Sequence, residues 1–192
     1  MLKRRPTVEF LLAGRSQNLF AVSGLGSSTW DLSATGDDRR NFCFNGVMGQ
    51  AAPFALGLAI AQPTKQVVLI TGDGEILMSL GILATIANVA PKNLCLLVLD
   101  NESYSETGGQ PSATAGPTNL ELIAKGCGFA NTSTVHNDSE LAALRKTLHA
   151  ADELHFSNIK IATEELPLIF PHSFDGVTAI NRFRDVAIAC SD

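Results

Sequence analysis

The chain has 192 residues, 45% of them hydrophobic and 17% charged, with 14 Lys and Arg against 19 Asp and Glu for a net charge of −5. That composition excludes a disordered chain, which is marked by low hydrophobicity and high net charge. It also argues against a nucleic-acid binder, which needs a basic face for phosphates, and the length suits one domain or one plus an extension.

In chain order, Thr7–Arg15 has helical spacing, with Val8, Leu11 and Leu12 on one side, and ends near Gly14. Asn18–Ser23 reads as a short buried strand, Gly24–Ser28 as a loop, Trp30–Ala34 as the opening of a helix, and Thr35–Asp38 as a polar turn. Asn41–Phe44 is a second strand candidate. Gly46–Ala61 is small and apolar nearly all round, which predicts a buried helix, ended by Pro63. Gln66–Thr71 is a continuous β-branched run of the kind found in parallel strands covered on both faces. It runs into Gly72-Asp73-Gly74, after which Glu75–Ala90 is helical up to Pro91. Asn93–Leu99 is another apolar strand, ending in Asp100-Asn101. A helix over Asn119–Gly126 with Thr118 as N-cap, a weak strand within Gly128–Val135, a helix over Leu141–Ala151, a strand over Asn158–Thr163 and a last helix over Thr178–Ala189 complete the pattern. Strand and helix alternate, so the expected fold is α/β, a doubly wound parallel sheet with helices on both faces and right-handed crossovers.

The cysteines at 43, 95, 127 and 190 form no C-x-x-C pair and read as buried thiols of a reducing compartment. Val8-Glu9-Phe10-Leu11-Leu12-Ala13 is too short, and interrupted by an acid, to serve as a signal peptide. No apolar run approaches about 18 residues, and a soluble, cytoplasmic protein is expected.

In open α/β sheets ligands bind beyond the carboxyl ends of the strands. Two apolar strands end there in polar clusters, Gly72-Asp73-Gly74 and Asp100-Asn101. A carboxylate and an amide oxygen from neighbouring strand ends suit Mg²⁺, which takes oxygen ligands and is completed by ligand phosphates and water. The helix opening at Glu75 would aim free N–H groups at a phosphate. Each feature also has a plain reading. Asp73 between glycines can be a turn, Asp100-Asn101 an Asx turn, Met48 a core residue, Thr107–Gln110 a flexible loop, and Ser27 and Ser28 turn residues. The four His are scattered singly and none is assigned to catalysis. Gly24-Leu25-Gly26 after a strand raises dinucleotide binding, as in an oxidoreductase, but Thr29 stands where that fingerprint wants Gly.

Gly72-Asp73-Gly74 with Asn101, and Gly46-Val47-Met48-Gly49 upstream, resembles the diphosphate-binding domain of thiamine diphosphate enzymes. Ser27–Leu32, Gly36-Asp37-Asp38-Arg39 and Thr107–Pro111 narrow the resemblance to sulfopyruvate and phosphonopyruvate decarboxylases, over about residues 20–165. The resemblance implies that residues 1–192 are one such domain, with 166–192 a C-terminal extension. It implies Mg²⁺ held by Asp73, Asn101 and the Ser103 carbonyl. It places Gly72, Gly74, Glu75 and Ile76 at the diphosphate, together with Ser27 and Ser28. The Gly46 carbonyl would accept from the cofactor's amino group, and Met48 would support its bent shape. Tyr104, Ser105, Glu106 and Thr107 would border the reacting carbon.

Position 75 departs from the pattern. Related enzymes often have a small hydroxyl residue there, so either Glu75 turns away from the cofactor or diphosphate affinity is weakened. The cofactor-activating Glu of these enzymes comes from a separate pyrimidine-binding domain, for which this chain has no room. The resemblance therefore implies half of a two-chain 2-oxo acid decarboxylase, self-associating and paired with an alpha-type subunit that supplies the Glu. A catalytically silent scaffold subunit is the alternative. A substrate with a second anion calls for Arg or Lys. Segments 46–49 and 101–116 have neither, so Arg39 and Arg40, or the partner, would have to serve, or the substrate is a less charged 2-oxo acid.

Overall fold

The computed structural model describes residues 1–150 and 152–188. Its centre is a six-stranded, wholly parallel sheet of β1 (Leu19–Ser23), β2 (Asn41–Cys43), β3 (Gln66–Gly72), β4 (Leu94–Asp100), β7 (Asn131–Val135) and β8 (His155–Lys160), in the order β2-β1-β3-β4-β8-β7. A separate two-stranded ribbon pairs β5 (Ser103–Tyr104) with β6 (Gln110–Pro111) in antiparallel fashion.

Side chains alternate across the central strands, so each strand feeds two cores. On one face Ala21, Val68, Ile70, Leu97 and Ile159 pack against α1 (Arg4–Leu12), α2 (Ser27–Ala34) and α7 (Asp138–Ala150). On the other, Val22, Val67, Leu69, Leu96 and Phe156 pack against α3 (Ala51–Ala61), α4 (Asp73–Met78), α5 (Gly81–Val89) and α6 (Leu120–Cys127). The doubly wound expectation is met. The chain leaves β1 towards β2 on one side and reaches β3 on the other, so the order reverses between β1 and β3. Their carboxyl ends flank the crevice where such sheets bind ligands.

Several boundaries differ from the sequence reading. α1 starts at Arg4 rather than Thr7, because Pro6 falls in the first turn, where a missing N–H costs no helical bond. α2 opens at Ser27, ahead of Trp30. Residues 46–50 form a loop, turned at Gly49 with φ +83°, and α3 begins at Ala51. α3 is also not buried all round, since Ile60 is 55% exposed. The single helix expected over Glu75–Ala90 is two, broken at Ser79 (φ −132°, ψ 37°), whose short side chain and the following Gly81 both weaken helix. Asn119, not Thr118, caps α6, its side chain accepting the Leu122 N–H. The last strand begins earlier, at His155. Its polar residues mask the strand pattern but pair across the sheet, Ser157 with Ser133 at 2.7 Å.

α8 (Gly176–Ala187) is capped by Asp175 and lays Phe183 against Phe20 and Phe42 at the β2 edge. The helix ends expected at Ala151 and Ala189, and Cys190, lie outside the described residues. Cys43, Cys95 and Cys127 are free; Cys95 is buried, and burial alone pushes its thiol up to about 12, whereas the other two are half-buried. No helix among the described residues is long and apolar enough to cross a membrane.

Candidate cofactor-binding site

A cavity of about 230 Å³ opens at the carboxyl ends of β1, β3 and β4. Its lining brings together, from separate parts of the chain, Ser27 and Ser28 at the start of α2, Met48 from the loop before α3, and Gly72, Asp73, Gly74 and Glu75 at the β3–α4 junction. Asn101, Ser103, Tyr104, Ser105, Glu106 and Thr107 complete it from the segment after β4. Two residues singled out from the sequence are not in the lining. Gly46 is exposed on its loop, and the Ile76 side chain belongs to the hydrophobic core. Larger openings elsewhere, such as one of about 290 Å³ between Gly36–Cys43 and α8, lie away from these strand ends.

β3 and β4 are neighbours, with Gly72 opposite Leu99, so Asp73 and Asp100-Asn101 emerge side by side. Asp73 is buried; the Ser112 hydroxyl donates to its Oδ2, and the Thr114 hydroxyl, whose single hydrogen is shared with Asp100, lies 3.0 Å from the same oxygen. Burial pushes its carboxyl above the usual carboxylate range and the Asp100 charge adds to this, against the Ser112 and Thr114 hydrogen bonds. Asn101 closes an Asx turn in which its Oδ1 accepts the Ser103 N–H at 3.1 Å, while its Nδ2 donates to Ser105 at 2.7 Å. An amide oxygen has two lone pairs, so this turn leaves Oδ1 able to act as a ligand. Glu102 holds φ +61°, a left-handed conformation uncommon outside glycine, at the bend that presents Ser103.

Asp100 is the anchor beneath these groups. It is buried and accepts from Thr114 at 2.7 Å, Asn158 at 2.9 Å, Lys160 at 2.9 Å and the Glu102 N–H at 3.1 Å. Burial works against the Lys160 charge, but its bonds to Glu102 and Asp100 outweigh that and raise its pKa. Among the described residues no three His, Cys, Asp or Glu side chains gather into a metal cage. The cation donors on offer are one carboxylate, one amide oxygen and backbone carbonyls, a hard set suited to Mg²⁺ completed by a ligand's own oxygens.

Glu75 lines the cavity, and its carboxylate is tied to donors of the chain itself. It is 4% exposed, and its carboxylate accepts the Leu25 N–H at 2.8 Å, the Thr71 hydroxyl at 3.1 Å and the Gly49 N–H at 3.2 Å. Burial pushes its pKa up, opposed by those donors and by the Ala51 N–H. The Tyr104 ring covers Gly74 so closely that a Cβ there would overlap it. Over the mouth of the cavity, Glu106 accepts from the Ser27 hydroxyl at 3.1 Å and the Trp30 indole at 3.2 Å.

The structure adds residues that local sequence did not single out. Ser112 and Thr114 reach Asp73 across 39 and 41 residues. Arg4, from α1, is the cation lining the cavity; it is buried and ion-paired with the fully buried Asp31 at 2.5 Å. Arg39 and Arg40 are directed elsewhere, to Asp185 at 3.1 Å and to Asp38 at 2.9 Å. Thr29, which breaks the dinucleotide fingerprint, is fully buried within 2.8 Å of the Gly24 carbonyl and 3.0 Å of that of Phe44.

The family described as thiamine pyrophosphate enzyme, C-terminal TPP binding domain, matches residues 27–159, which carry every element of this cavity except Arg4, Leu25, Gly26 and Ile161. The chain belongs to that family. Among relatives of this TPP-binding domain, sulfopyruvate decarboxylase subunit beta of Methanocaldococcus jannaschii is 41% identical over 132 residues, covering 69% of this chain and 70% of that one. Phosphonopyruvate decarboxylase of Streptomyces viridochromogenes is 37% identical over 152 residues, 77% of this chain but 38% of its own length. Sulfopyruvate decarboxylase of Methanosarcina acetivorans is likewise matched over 38% of its length, at 34% identity. The chain thus spans most of a beta subunit but well under half of the longer decarboxylases. In fold, it superposes on 2-oxoglutarate:ferredoxin oxidoreductase from Magnetococcus marinus with a TM-score of 0.67 over 95% of this chain and 67% of that one, at 20% identity.

Proposed function

We propose that this chain is the beta-type subunit of a thiamine diphosphate- and Mg²⁺-dependent 2-oxo acid decarboxylase of the sulfopyruvate and phosphonopyruvate kind. Residues 1–192 would form one diphosphate-binding domain, with 166–192 as its extension, and a partner chain would supply the activating Glu. The observation that carries this reading is the convergence of Asp73, Asn101 and Ser103 from the ends of adjacent parallel strands on one cavity that also holds Met48 and the starts of α2 and α4. The relatives support it: one is a named beta subunit of similar extent, while the longer decarboxylases match over part of their length.

When bound, the cofactor supplies a nucleophilic ring carbon and an electron sink for the departing carboxylate. The chain's own residues do the rest. Asp73, Asn101 and the Ser103 carbonyl would hold the metal, and the metal the diphosphate. Asp100, with Thr114, Asn158 and Lys160, keeps the Asp73–Asn101 pair in place. Met48 offers an apolar support from the facing loop. Tyr104–Thr107 close one side and exclude water. Val47, 50% exposed, and Met78, 62% exposed, leave apolar surface beside the site, as a subunit completing it would require. Arg4 lines the cavity but is already paired with Asp31, so the positive charge for a substrate's second anion would come from the partner, or the substrate is a less charged 2-oxo acid.

The test is the melting temperature with and without Mg²⁺ and thiamine diphosphate, with and without the partner chain. Stabilisation that needs both ligands, and that Asp73→Ala abolishes while the protein stays folded, is the expected result. Stabilisation by a nicotinamide dinucleotide instead, or by nothing even with the partner, would reject the reading. The purified chain alone is expected to lack decarboxylase activity.

A further inference from the structure

Glu75 is a buried acid at the heart of a site meant for an anion, and its surroundings show what it does there. A buried carboxylate is costly unless its oxygens are hydrogen-bonded. Here the two oxygens are divided between two loops. Oε2 takes the Leu25 N–H, from the loop after β1, together with the Thr71 hydroxyl of β3. Oε1 takes the Gly49 N–H, from the loop before α3. Leu25 lines the cavity, and so does Met48, next to Gly49. One side chain therefore ties the start of α4 to both loops that face it.

The fit is close enough to dictate a second residue. A Cβ on Gly24 would overlap Glu75 Oε2 and come within 2.7 Å of Thr71 Oγ1. Gly24 has no side chain because the Glu75 carboxylate occupies that space. Gly24 and Glu75, far apart in the chain, form a matched pair.

We propose that Glu75 is a positioning residue: its carboxylate clamps the Gly24–Gly26 and Met48–Gly49 backbones at a fixed separation and so sets the shape of the cavity that receives the cofactor. The inference rests on the reading of that cavity as a thiamine diphosphate site. It also accounts for an acid beside an expected diphosphate: the charge is spent on backbone amides rather than turned towards the phosphates.

The experiment pairs amide exchange on the full chain with cofactor titration of the assembled enzyme. In Glu75→Ala, exchange at both Leu25 and Gly49 should speed up by about tenfold or more, the loss expected of a charge-assisted bond. Glu75→Gln keeps one acceptor oxygen. That oxygen can serve only one of the two loops at a time, so Gln should keep protection at one of Leu25 and Gly49 and lose it at the other. In both variants the half-saturating thiamine diphosphate concentration should rise by about tenfold or more, and by a larger factor than kcat falls at saturation. Gly24→Ala, which displaces the carboxylate from the opposite side, should loosen the same amides. Its penalty should shrink in the Glu75→Ala background.

Unchanged exchange at Leu25 and Gly49 in all variants would overturn the clamp. Loosened loops with an unchanged cofactor requirement would overturn the positioning role, as would a fall in kcat equal to the change in half-saturation. Strict additivity of Gly24→Ala and Glu75→Ala would overturn the pairing. A wild-type enzyme indifferent to thiamine diphosphate and Mg²⁺ would instead remove the cofactor reading, and the positioning role with it, while the exchange data still report on the clamp.

Discussion

The two halves of the cavity wall are held in different ways. On the side of β1, β3 and α3, the loops are fastened from within by buried groups: Glu75 to Leu25 and Gly49, and Thr29 between the Gly24 and Phe44 carbonyls. On the other side, residues 106–111 are fastened from outside. Glu106 meets Ser27 and Trp30 in exposed contacts, and Thr107 and Gln110 bond mainly within their own turn. Hydrogen bonds shielded from water keep their strength, and exposed ones compete with solvent. The wall proposed to hold the diphosphate is therefore built rigid, and the wall proposed to border the substrate is built to adjust.

Breaking the support beneath the rigid wall should cost most. Asp100→Ala leaves Asn158 without its buried acceptor and Lys160 with Glu102 alone, and a loss of about 3 kcal/mol in denaturant unfolding is expected. Gly74→Ala strikes where the two walls meet. Its new Cβ would overlap the Tyr104 ring, which must then move, at a cost of about 1–3 kcal/mol; a Tyr104→Ala background should relieve most of that in the same unfolding measurement. Glu106→Ala removes only exposed contacts from the adjustable wall. Thermal melts should show a stability change below about 1 kcal/mol, while proteolysis within 103–111 becomes faster.

The smallest effect is a reference point at the far end of the sheet. Burial holds the His155 pKa below its ordinary value, although the Glu153 charge opposes this. The unfolded chain therefore binds a proton there at a higher pH than the folded one. The His155 contribution should be fully present above about pH 6.5 and decline as the pH falls below it. His155→Asn should flatten that part of the stability–pH curve and leave both walls unchanged.

Much of this was legible in the chain itself. Gln66–Thr71 and Asn93–Leu99 are continuous apolar runs, and a strand buried on both faces needs no partner to be recognised. The polar clusters that end them mark the ligand-binding edge for the same reason. Other features were hidden. The early start of β8 at His155 and the exposed face of α3 at Ile60 depend on neighbours distant in sequence. So do the Ser112 and Thr114 hydroxyls on Asp73, and Arg4 at the cavity, since a lone Ser, Thr or Arg in an ordinary context carries no local mark.

Glu75 shows the division most clearly. Its identity and its place after Gly72-Asp73-Gly74 stand in the sequence, along with the conflict between an acid and an expected diphosphate. Local pattern determined the strands, their order of appearance and the glycine-flanked acid, because periodicity and turn chemistry act over a few residues. Only the tertiary structure decided where the Glu75 carboxylate went, because the amides that receive it are brought there by the folding of the sheet, from Leu25 on one side and Gly49 on the other.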